Sequence, residues 1–178
     1  MKKSTGFTLI ELMVTLAIVA ILMGIATPSY RYITNSSRVS SEMNSLVGGL
    51  QFARAEAIKQ GLPVTVCAST TGTSCSAINT WQGGWIVFLD NNGNATVDTG
   101  DVILRKQASF STLDSFVADN SIGAVVFNRE GFVTGLLVDT VTLTLKPLSA
   151  TDSTWTRCLA VGRIGRLAVQ KSGTGNCS

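Results

Sequence analysis

The chain has 178 residues and 18.8 kDa, is 45% hydrophobic and only 14% charged, and carries a net charge of +3, which leaves room for one compact domain beside an apolar N-terminus. It has no histidine and no GxSxG, GxxxxGK[ST] or GxGxxG string, so Ser-His-Asp and Cys-His nucleophilic sites, the commonest metal ligand and the familiar phosphate-binding loops are excluded together. The reading is therefore of a protein that is not an enzyme and has no cofactor or metal. Lys2 and Lys3 are two of fourteen basic residues against eleven acidic ones; the remaining charge is nearly balanced, and the basic excess is local. From Ser153 onward Arg157, Arg163, Arg166 and Lys171 stand with no Asp or Glu.

In chain order, Phe7 to Ala26 comes first, twenty residues with one charge, Glu11. As a helix this run spans ~30 Å, the thickness of a bilayer core. Lys2 and Lys3 ahead of it place the first six residues in the cytoplasm and send everything after Pro28 outward. A cleavable secretory signal also has a basic start, and Gly24-Ile25-Ala26 has the small-x-small form of its cleavage site. The run is longer than a usual signal core, however, and an acid inside it disfavours plain insertion by roughly 2.5 kcal/mol near a helix centre, less close to the end. An acid kept at that cost points to function.

The string GFTLIELMVTLAIVAIL followed by Pro28 resembles the class III signal of type IV pilins and type II secretion pseudopilins. The resemblance implies that prepilin peptidase cuts between Gly6 and Phe7 and methylates the new N-terminus at Phe7. Glu11 then falls at the fifth mature position, where the family's carboxylate meets the N-terminal ammonium of a neighbouring subunit and each charge satisfies the other in an apolar filament core. The same resemblance makes Pro28 a bend in a long helix.

Beyond Pro28, Ile33, Met43, Leu46, Val47, Leu50, Ala53, Ala57 and Ile58 recur at helical spacing, and Gly61 and Pro63 stop the helix. Flexibility is expected over Thr34 to Ser41. After Pro63 the pattern turns to strands: VTVCA, GWIVFLD, VILRK, AVVFN, TVTLTLK, TWTRCLAVG and RLAVQ are short, β-branched and separated by Gly, Asn, Asp and Ser. TVTLTLK alternates and shows Val141, Leu143 and Leu145 to the core. The fold class is α+β, a long helix packed on an antiparallel sheet domain, divided as leader 1–6, transmembrane or filament-core helix 7–28, amphipathic helix 29–61 and periplasmic β-rich domain 62–178. The order Cys67, GGWIVFLDNNG, VVFNREGFVTG and a last glycine-arginine strand ending at Cys177 resembles the GspH/FimT (FimU-like) group of minor pilins and pseudopilins.

Cys67, Cys75, Cys158 and Cys177 are neither CxxC pairs nor a zinc ribbon. Behind a membrane segment an even number implies two disulfides. Three pairings are open; the local one, Cys67 with Cys75 and Cys158 with Cys177, closes two short loops, and free buried thiols are the plain alternative.

DNNGNATVDTGD, Asp90 to Asp101, has the oxygen-rich look of a calcium loop but carries Ala95 and Asp101 where an EF-hand needs Gly and Glu, and an Asn92-Gly93 turn explains the same residues. Trp85 is expected in the core and Trp81, beside Gln82-Gly83-Gly84, at the surface. Arg163, Arg166 and Lys171 are the candidate DNA-binding cations. In DNA-uptake members of the group a GRxR motif binds DNA; here Gly162-Arg163-Ile164-Gly165-Arg166 is one residue longer, in the Gly165-Arg166 register Ala168 replaces the second arginine, and a solubilising basic edge that protects a terminal strand is the favoured explanation.

The sequence thus predicts a minor pilin or pseudopilin, single-pass in the bacterial inner membrane and taken into a filament. Its partners would be other pilin subunits, prepilin peptidase, the membrane and, at the basic end, double-stranded DNA. The alternative is a pseudopilus subunit of the type II secretion system serving protein export.

Overall fold

The structure, a computed structural model, describes residues 6–110, 114–147, 153–175 and 177; the side chains of 25–29, 31, 32 and 153 also lie outside the description. Helix α1 (Leu9–Gln60) is followed by β1 (Val64–Ala68), β2 (Trp85–Leu89), β3 (Val102–Gln107), β4 (Ser115–Ala118), β5 (Ala124–Phe127), β6 (Val133–Thr134), β7 (Thr140–Lys146), β8 (Arg157–Gly162) and β9 (Leu167–Lys171). The chain divides into two units, Met1–Ser37 and Arg38–Ser178.

In the first unit, helix assignment begins at Leu9 and not at Phe7, because Thr8 is its cap: the Thr8 hydroxyl accepts the Glu11 N–H at 3.3 Å. The assignment continues through Pro28 and through Thr34 to Ser41. Of the leader expected over 1–6, residues 1–5 lie outside the described residues, as does the side chain of Pro28.

In the second unit, α1 buries Val39, Met43, Leu46, Leu50, Ala53 and Ala57, spaced alternately by four and three so that they form one stripe. Of the sequence-expected helix positions, Ile58 stays more than half exposed. Gly61 ends the helix in a left-handed conformation, φ 68°, with its N–H on the Ala57 carbonyl.

The strands form two antiparallel sheets, β3-β2-β1-β5-β6 and β4-β7-β8-β9. The helix stripe joins one core cluster with Val64, Val66, Trp85, Val87 and Phe127 of the first sheet and Phe116, Val141, Leu143, Leu145, Leu159 and Val161 of the second. The first sheet is buried on its other face too: Cys67, Ile86 and Phe88 pack with Cys75, Val97 and Ile103. That second cover explains why β1 is buried at all five positions. Trp81, expected at the surface, is fully buried; its indole N–H donates to the Ile122 carbonyl at 3.1 Å and its backbone N–H to Phe116, so the polar handle is satisfied inside. Trp85 is in the core as expected.

Candidate functional site

The disulfides are Cys67–Cys75 and Cys158–Cys177, the local pairing, and they account for all four cysteines. One fastens the loop after β1 against the back of the first sheet. The other ties the end of the chain to the start of β8.

The first candidate site is the start of α1. Thr8-Leu9-Ile10-Glu11 is a T-x-x-E capping sequence, with Glu11 an acid in the first turn. Sequence reading missed that signal, although the four residues alone carry it. Around and after Glu11, Phe7, Leu9, Ile10, Leu12, Met13, Val14, Leu16, Ile18, Val19, Ile21, Leu22 and Met23 are all exposed. A helix apolar all round is one whose partners are elsewhere. Among the described residues no helix is long and apolar enough to cross a membrane; the expected span over 7–28 runs into side chains outside the description.

The second candidate site is the basic end. Gly162 to Arg166 forms the β8–β9 hairpin turn, closed by Gly165 N–H to Gly162 O at 2.8 Å and Gly162 N–H to Arg166 O at 2.9 Å. Gly165 sits at φ 75°, where a Cβ would run into the Gly131 carbonyl and the Arg54 guanidinium. Arg54 of α1 donates to the Gly165 carbonyl at 2.9 Å, so the hairpin is tied to the helix.

The three cations named from sequence have different fates. The Arg163 guanidinium donates to the Leu136 carbonyl at 2.7 Å and the Val138 carbonyl at 3.1 Å, with the Asp139 carboxylate 3.6 Å away. It clamps the 136–139 segment. Arg166 is exposed beside it, and both line a groove of about 520 Å³ floored by Ala160, Gly162 and Ala168. Lys171, at the far end of β9, does not line that groove.

The Asp90 to Asp101 loop turns its oxygens inward. The buried Asp90 carboxylate accepts the Thr65 hydroxyl at 2.7 Å and the backbone N–H groups of Gly93, Asn94 and Ala95. Asp101 accepts the N–H groups of Asn91 and Asp98. The Asn94 and Asn92 amides hold the Asp98 carboxyl below the usual range. These donors occupy the atoms a calcium ion would need, and among the described residues no group of three or more acids or cysteines is placed to hold a metal.

A helix packed on a two-sheet antiparallel domain, led by a capped start whose described large apolar side chains from Phe7 to Met23 are exposed, defines a pilin-like subunit. The family model "Type II transport protein GspH" matches residues 42–165 and the prokaryotic N-terminal methylation motif matches residues 1–27. The chain belongs to the GspH family of minor pilins and pseudopilins. It is similar to a fimbrial protein of Pseudomonas aeruginosa, 33% identical over 101 residues, which cover 57% of this chain and 62% of that one. A pilin-like protein PilA1 of Thermus thermophilus is 31% identical over 96 residues, 54% of each chain. The matched part thus spans less than two thirds of these relatives. The fold is shared with the type IV minor pilin FimU of P. aeruginosa (TM-score 0.54, 19% identity, 75% of this chain and 87% of that one). It is shared equally with the minor pseudopilin EpsH of the Vibrio cholerae type 2 secretion system (TM-score 0.52, 13% identity, 76% and 98%).

Proposed function

We propose that this subunit is cut between Gly6 and Phe7 by prepilin peptidase and N-methylated at Phe7. Residues 7–28 then hold it in the bacterial inner membrane with 62–178 in the periplasm, and it enters the tip or priming complex of a type IV pilus. It is the substrate of an enzyme and not itself one. The observation that carries this reading is the exposure of every large apolar side chain described from Phe7 to Met23. At ~25 cal/mol per Å² of apolar surface, so much exposure is stable only when lipid or neighbouring helices cover it. Glu11 within that surface is costly without a partner, and the Phe7 ammonium of an adjacent subunit supplies one. The test is Glu11→Ala: processing at Gly6 persists while incorporation into filaments falls below a tenth of wild type. Normal incorporation would sink the pairing.

The second reading, a pseudopilus subunit serving protein export, is favoured by the family's description as a type II transport protein. A deletion strain decides: loss of surface pili with normal export supports the pilus, and retained pili with exported proteins trapped in the periplasm supports the pseudopilus. Capture of DNA rests on Arg166 and on Lys171, both exposed. Two cations support at best weak contact, so avidity along a fibre would be needed. Full-length protein in detergent should bind duplex DNA with a steep salt dependence that Arg166→Ala/Lys171→Ala flattens; absence of binding at low salt would remove this role.

A further inference from the structure

Where α1 passes Gln107 and Phe110, the helix side chains Arg38, Ser41, Glu42 and Ser45 bound a cavity of about 530 Å³. Glu42 is 6% exposed, and its Oε2 has no hydrogen-bond partner. Arg38, one turn earlier, gives its guanidinium to Asp114 instead, Nη2 to Oδ1 at 3.1 Å, and its own Nε is buried without an acceptor. The Gln107 amide turns elsewhere, its oxygen accepting from the Ser45 hydroxyl at 2.9 Å and its nitrogen donating to the Ala108 carbonyl. The lining and its immediate shell thus hold two carboxylates and one guanidinium. A buried carboxylate with no donor is expensive, and one added positive charge would balance it.

The shape agrees with the charge. Phe110 forms an aromatic wall, its ring braced 5.0 Å from that of Trp85 and 6.3 Å from that of Phe116, and a cation is favoured against such a face. Past the Ser45–Gln107 bridge lies a second hollow of about 290 Å³, where α1 presents Gly48 and Gly49 over Trp85. Arg105, laid over the Phe52 ring at 3.6 Å, stands on the β3 side of that hollow. A Cβ on Gly48 would meet nothing within 4 Å. The orphan pair Glu42 Oε2 and Arg38 Nε asks for one donor and one acceptor together. A residue of a polypeptide brings both, a cationic head and a main-chain carbonyl; a bare cation brings only the first.

We propose that this cavity is a docking pocket for one basic side chain, an ammonium or guanidinium on an alkyl stem, presented by an adjacent subunit of the filament. The proposal rests on the reading of the chain as a filament subunit. The free subunit compensates by holding a proton: burial first, and then the Asp114 charge, push Glu42 up to about 7, against the pull of Arg38. The other charges near the pocket are Arg105 and Lys106 of β3, at the adjoining hollow. Docking therefore releases a proton.

The test uses full-length processed protein in detergent micelles, with n-butylguanidinium as probe and the Glu42 carboxyl carbon followed by NMR at constant ionic strength. A saturable shift is expected, about tenfold tighter at pH 8 than at pH 6, as a group with a midpoint of about 7 goes from roughly one eleventh to ten elevenths ionised. Glu42→Gln should abolish binding. Ser41→Leu, which fills the pocket from its own lining and leaves the charges alone, should weaken binding at least tenfold while the carboxyl still titrates. No saturable shift, or equal binding at both pH values, overturns the pocket. A photo-cross-linker at position 45 in assembling cells then identifies the source. A cross-link to a Lys- or Arg-bearing segment of another subunit supports the proposal. Probe binding with no such cross-link, in a chain that enters filaments normally, overturns it in favour of a small free cation. A wild-type chain that never enters filaments defeats the filament reading, whatever the probe does.

Discussion

Arg163 and Arg166 are three residues apart in one turn and do different work. Arg163 spends its guanidinium on two carbonyls, bonds of the charge-assisted kind. Arg163→Ala should cost about 1 to 3 kcal/mol of stability, whereas Arg166→Ala should stay within about 0.5 kcal/mol, as chemical denaturation in detergent would show. Sequence could place both on or beside a basic terminal strand but could not separate them, because Arg163's partners come from 136–139, some 25 residues earlier. Glu42 was equally silent, since a lone acid on a helix looks solvated until its neighbours are known. Its carboxyl, raised from 4.5 to about 7, binds more protons folded than unfolded. Stability should therefore be full below pH 4.5, fall as pH rises from 4.5 to 7 by on the order of 3 kcal/mol, and level off above. Glu42→Gln should remove that slope and leave the protein more stable than wild type at pH 8, measurable as melting temperature against pH.

At the scale of elements, the strands that sequence found are those with β-branched runs bounded by turn residues, and among the described residues seven of nine strands match such a run. The two it missed are β4, four residues whose outer position is Ser115, and β6, two residues paired to β5. Neither is long enough to show a period. The split into two sheets was also hidden, since it depends on β1 joining β2 and β5 while β7 joins β4 and β8. The basic hairpin illustrates how local chemistry fixes an element. Gly165→Ala should cost more than about 1 kcal/mol, from the left-handed backbone and the close Gly131 carbonyl together. Gly48→Ala, in open space on a helix, should instead stabilise by about 0.5 to 1 kcal/mol. Thermal melts of the two variants side by side check both signs.

For the whole molecule, the pilin-like class was readable through the resemblance of GFTLIELMVTLAIVAIL and Pro28 to the class III signal, and the carboxylate inside that apolar run is too costly to be casual. Its meaning lies outside the single chain, in whatever covers the exposed helix. The disulfides belong to this scale as well. Each closes a loop whose opening costs about 3 kcal/mol in the chain-entropy account, so reduction should lower the denaturation midpoint in two separable steps, resolved by Cys67→Ser/Cys75→Ser and Cys158→Ser/Cys177→Ser. The second has a mechanical consequence. Tension applied at the last residue passes through Cys177 directly to Cys158 at the head of β8, so β9 and the Gly162–Arg166 turn lie off the load path. Pulled in an oxidised state, the chain should give up a contour length shorter by roughly 65 Å than its Cys158→Ser/Cys177→Ser variant, the extended length of the 19-residue separation between the two sulfurs. The basic hairpin would then keep its form while the rest of the subunit bears force.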